Sequence, residues 1–123
     1  MPLDYAINRL PHLVIYDVAG DATLDDMHRL IDAVAEATLR SGDRRVLVNL
    51  LGVRETLKFT DHYAIGEQVA RRLGHLERLA SVVPGSRRTG ASEKVANAQG
   101  TLLRVFVDVD EALAWLASGA APA

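Results

Sequence analysis

The chain has 123 residues, 49% of them hydrophobic, no cysteine, and a formal net charge of −2 from 14 basic and 16 acidic side chains. That is enough for one domain with its own core, and it excludes a disulfide framework, a thiolate nucleophile and cysteine-ligated zinc. The near-neutral charge gives no footprint for nucleic acid, the longest apolar windows are too short to span a bilayer, and MPLDYAINRL lacks a signal-peptide pattern, so a cytoplasmic protein is expected.

Tyr5–Arg9 and Leu13–Val18 are short β-rich runs around Pro11-His12, the pattern of an opening antiparallel hairpin. Gly20-Asp21-Ala22 ends the second run, and Thr23 is placed to cap a helix with Asp25 and Asp26 in its first turn. Met27, Leu30, Ile31, Val34 and Thr38 then recur at three- and four-residue steps until Gly42. Arg45–Leu51 is nearly all apolar, as in a central parallel strand covered on both faces.

Gly52 is read as the break after that strand, followed by a charged loop and a second helix over about Asp61–Leu73, with Thr60 competing with Asp61 for the N-cap. Leu79–Val83 is another buried strand, Ser92–Gln99 a short helix and Leu103–Val107 a last strand. Asp108, three residues before Glu111, opens a final helix with capping-box spacing, and Ser118–Ala123 reads as a frayed tail. The order strand, strand, helix, then strand-helix three times, predicts one α/β domain over residues 1–117. Its five-stranded sheet is mixed but mostly parallel, and about four helices pack on it.

Several of these segments together carry a family resemblance. Leu13-Val14-Ile15 running to Gly20, Thr23-Leu24-Asp25-Asp26, Arg45–Leu50 followed by Gly52, Asp61-His62-Tyr63 with Gly66, and Arg104–Asp108 leading to Glu111–Leu116 resemble the SpoIIAA-like family of small bacterial STAS-fold proteins. The resemblance implies a fold shared with STAS anti-sigma-factor antagonists and CRAL-TRIO lipid-binding domains, and no established reaction. In STAS antagonists, a serine at the corresponding helix start is phosphorylated by a partner kinase. Here Asp61-His62-Tyr63-Ala64 stands in its place, so the acceptor is missing.

The candidate site is therefore the stretch from Asn49 to Gly66. A histidine exchanges protons near neutral pH, so His62 beside Asp61 and Tyr63 could polarise a ligand; the plainer alternative is a hydrogen-bonded pair closing the core. Leu57 and Phe59 could grip the core, a partner or an apolar ligand. Arg54, or Arg87 and Arg88 in the loop Pro84–Ser92, could supply charge for an anion. No two histidines have a metal-ligand spacing, and neither a metal nor a cofactor is expected. No Gly-x-Ser-x-Gly elbow or paired-carboxylate cleft is legible.

The leading expectation is a non-enzymatic regulatory or protein-interaction module, with homodimer formation plausible. The alternative is a carrier or sensor of a small lipid-like or anionic ligand bound between the second helix and the sheet. The two make different demands: a docking surface needs an apolar patch near Leu57, Phe59 and Tyr63, whereas a carrier needs an enclosed cavity.

Overall fold

β1 (Asp4–Leu10) and β2 (Leu13–Ala22) form an antiparallel hairpin, closed by Pro11-His12 between the paired Leu10 and Leu13. The computed structural model describes residues 3–55, 57–85 and 91–118, the side chains of 91–93 excepted. After the hairpin the elements are α1 (Leu24–Ser41), β3 (Arg45–Glu55), α2 (Phe59–Arg72), β4 (Arg78–Val82), α3 (Ala91–Ala98), β5 (Leu103–Phe106) and α4 (Val109–Ala117). The five strands stand in the order β1-β2-β3-β4-β5, and every pair after the hairpin is parallel. The mixed, mostly parallel sheet with four helices is thus the observed architecture.

Sequential order in a parallel sheet means that each right-handed crossover steps the same way, which keeps α1, α2 and α3 on one face. Two cores follow. Val14, Tyr16 and Val18 of β2 and Val46 of β3 meet Leu30, Ile31 and Val34 of α1 and Ile65, Val69 and Leu73 of α2 on that face. Leu47, Ala80, Val82 and Phe106, pointing the other way, pack under Ala112 and Leu116 of α4. Each fully buried Leu, Ile or Val contributes about 1.5–3 kcal/mol of hydrophobic stabilisation, so both faces of β3 hold the sheet between helices.

α1 begins and ends on local chemistry. The Thr23 hydroxyl accepts the Asp26 N–H at 3.2 Å while Asp26 accepts the Thr23 N–H at 2.9 Å, a reciprocal box. Gly42 at φ 80° stops the helix in the left-handed region that glycine enters without strain. Asp108 caps α4 by accepting the Asp110 N–H at 3.1 Å rather than through a box with Glu111. Arg78 donates to the Ser118 hydroxyl at 2.9 Å and buried Arg45 to its carbonyl at 3.1 Å, while the rest of the expected tail, 119–123, lies outside the described residues.

Two sequence expectations are corrected around α2. The strand does not break at Gly52 but runs on to Glu55, because β3 carries one extra residue against β2: Asp17 pairs with Asn49, whereas Ala19 pairs with Gly52. The N-cap of α2 is Lys58, with Thr60 and Asp61 already helical. A lysine side chain has no acceptor, so capping is one-sided, with the Asp61 carboxylate accepting the Lys58 N–H at 2.9 Å.

Candidate functional site

The bulge in β3 decides which side chains face α2. Strand residues alternate between faces, and Val46, Val48 and Leu50 turn toward the helices. One inserted residue flips the alternation, so Val53 and Glu55 continue on that face and Arg54 goes to the other. The Asn49 side chain supports the bulge by accepting the Leu51 N–H at 3.1 Å and donating to Asp17 at 3.0 Å. Gly52 fits it sterically: a Cβ there would lie 3.1 Å from the Val18 carbonyl oxygen and 3.2 Å from the Ala19 Cβ.

Between α1, α2 and the sheet lies a cavity of about 100 Å³. Met27, Leu30, Ile31 and Val34 of α1 and Ile65, Val69 and Leu73 of α2 wall it against Leu79, Leu103 and Val105 of the sheet. Val48, Leu50, Ser81 and Val83 also line it, yet they stay half-buried, so it opens toward the carboxyl ends of β3 and β4. That is where ligands collect in open α/β sheets. Among the described residues, the polar lining consists of Glu55, His62 and Ser81. His62 Nε2 stands 3.9 Å from Glu55 Oε1, with side chains 16% and 15% exposed, close enough for mutual attraction and too far for a hydrogen bond.

The roof is pinned by a polar clasp. Gln68, 4% exposed, donates to the His28 carbonyl at 3.0 Å and to Asp32 at 3.1 Å, and its own oxygen contacts His28 Nδ1. Arg72 pairs with Asp32 at 2.9 Å. Below it, the buried Thr38 hydroxyl donates to the Val34 carbonyl at 2.7 Å, which leaves His75 Nε2, also at 2.7 Å, as the donor to Thr38. Burial, reinforced by Arg44, holds His75 below its ordinary value.

The anticipated site residues do not come together in one place. His62 and Leu57 line the cavity. Phe59 and Tyr63, 64% and 51% exposed, point outward from the same helix turn with ring centroids 6.0 Å apart in an edge contact. Asp61 is spent on capping. Arg54 lies apart from all of these, bound to Asp21 at 2.7 Å on the opposite side of the sheet, and it does not reach the cavity. Arg87 and Arg88 lie outside the described residues. Sequence reasoning missed Glu55, Ser81 and the α1 wall. A glycine inside an otherwise strand-like run is a bulge signal, and applying it at Gly52 would have turned Glu55 inward.

A single sequentially ordered sheet with three helices on one face and one on the other defines a STAS-type α/β domain. Residues 13–117 match the SpoIIAA-like family, and the chain belongs to that family. Among solved structures it is similar to an anti-sigma factor antagonist from Mycobacterium paratuberculosis, at 11% identity and TM-score 0.61 over 93% of both chains. It is also similar to an uncharacterised protein of the DUF3478 family with a SpoIIAA-like fold from Shewanella loihica, at 19% identity and TM-score 0.60 over 94% of this chain and 93% of that one. A comparison with proteins of curated function finds no match. Among the described residues, no helix is long and apolar enough to cross a membrane and no cluster of histidines and carboxylates could hold a metal ion.

Proposed function

We propose that this chain is a non-enzymatic STAS-like regulatory module that holds a small apolar molecule between α1, α2 and the sheet. The cavity carries this reading. Space of about 100 Å³ is worth about 2 kcal/mol of packing to an apolar group that fills it, a large fraction of a small domain's stability. Engineered apolar cavities of ~150 Å³ bind benzene, so a short alkyl chain or a small ring is the matching size. The volume is smaller than a drug-sized pocket, which points to a fragment-like ligand rather than a whole lipid.

Catalysis has little to work with here. Ser81 and His62 line the same cavity, but among the described residues no hydrogen bond joins them, so no nucleophile-base pair is formed. Native mass spectrometry of the protein purified from its own cells is expected to show a small apolar adduct, released on denaturation. In Val69→Phe, which fills the cavity, that adduct should disappear while the fold persists. A bare mass for the native protein, with no apolar probe raising its thermal midpoint, would sink the reading.

A second reading, docking of a protein partner, is favoured by Phe59 and Tyr63, two adjacent exposed rings on the first turns of α2. The likeness to an anti-sigma factor antagonist supports it at the level of fold. The double variant Phe59→Ser, Tyr63→Ser separates the two readings: a docking role predicts loss of the host phenotype with the cavity ligand retained. A second copy of the chain is the simplest partner for the sheet itself, because every residue of edge strand β1 is exposed, including Tyr5, Ile7 and Leu10. Sedimentation across a wide concentration range tests it, and a monomer throughout would remove that proposal.

A further inference from the structure

We infer that the cavity takes a small amphiphile whose polar end is a protonated amine, held at the mouth by Glu55. The assignment rests on the cavity being a ligand site, and it specifies which chemical class enters. Among the described residues that line the cavity, Glu55 carries the sole formal charge, and none of them is lysine or arginine. Its side chain is 15% exposed, so its carboxylate has lost much of its water. Among the described residues no hydrogen bond reaches its carboxylate, and His62 Nε2 stands 3.9 Å away. A desolvated carboxylate with unspent acceptors is stabilised most by a cationic N–H donor. A carboxylate or phosphate head would meet the same charge as repulsion.

Among the described residues, the competing source of anion affinity is the N-terminus of α2, worth about half a positive charge. Asp61 sits in that first turn and offsets it. Arg54 is turned away by the bulge and paired with Asp21, and Arg72 is paired with Asp32 on the roof. The sign of the mouth therefore follows from one inserted strand residue: without it the alternation would bring Arg54 to the helix face and send Glu55 to the other.

Isothermal titration of the full chain with hexylamine, hexan-1-ol and hexanoate tests the assignment at neutral pH. The amine should bind at least about tenfold more tightly than hexanoate, equivalent to about 1.4 kcal/mol, with the alcohol between them. Glu55→Gln should erase the difference between amine and hexanoate. Hexanoate binding as well as or better than the amine would overturn the assignment, as would a preference that survives Glu55→Gln or persists when Leu30→Trp fills the cavity. Alcohol binding without amine preference would remove the head-group assignment alone. No binding of any of the three would remove the cavity reading with it.

Discussion

Gly52 is the residue on which the site's geometry turns. It stands mid-strand, where glycine ordinarily costs about 0.5–1 kcal/mol relative to alanine, and it is kept in a spot where a Cβ would press on Val18 and Ala19 of the neighbouring strand. These opposing effects nearly cancel for Gly52→Ala. Gly52→Val adds two methyl groups to the same contact and is expected to destabilise by about 1–3 kcal/mol, read as a lower urea midpoint. A midpoint at or above wild type would mean that the bulge is not sterically tight. The surrounding residues explain why the sequence alone misplaced this segment. Gly52-Val53-Arg54-Glu55 has the composition of a loop, and only the pairing of Gly52 with Ala19 shows that the ladder continues through it.

At the scale of elements, the site depends on how α2 is held. Its inner face roofs the cavity, so it gives up packing there, and buried Gln68 compensates by joining the helix to His28 and Asp32 of α1. Gln68→Ala strands these partners and should cost about 1–3 kcal/mol, with faster amide exchange over α1 and α2 than over β2 and β3. Uniform loss of protection across the whole chain would contradict a role specific to the roof. The helices themselves were legible: the stripe from Met27 to Thr38 and the stop at Gly42 belong to the sequence, as does the alternation of strands and helices. The start of α2 was not, because residue preference favours Thr60 or Asp61 at the cap, whereas the chain's exit from β3 places Lys58 there.

For the whole molecule, the carboxylates and the histidine with shifted values act in one direction. Asp21, hydrogen-bonded by Arg54, Asp26, by Thr23, and Glu77, by Arg45, are all held below the usual carboxylate range. Asp43 follows them, because hydrogen bonds from Ser41 and Arg9 outweigh its partial burial. A depressed folded-state value contributes stability that is present above the unfolded value and lost as pH falls through the folded one. His75, depressed by burial, has the same sign at higher pH. Stability should thus be flat at about pH 8, decline modestly below about 6.5 and fall steeply below about 4. Urea midpoints across that range check it, and His75→Ala should flatten the upper slope alone. An increase in stability on acidification would contradict these assignments.

The sheet, the order of its elements and the family were readable from patterns along the chain. The cavity was not, because it depends on walls drawn from α1, α2, β3, β4 and β5 at once, and on how far two helices stand off a sheet. Its occupancy by a small apolar molecule is tested most directly by following backbone amide resonances while hexan-1-ol is added to the full chain. Saturable shifts are expected at Leu30, Val34, Ile65 and Val69, around the cavity, and they should vanish in Val69→Phe. Shifts confined to the outward face at Phe59 and Tyr63, or none at all, would contradict it.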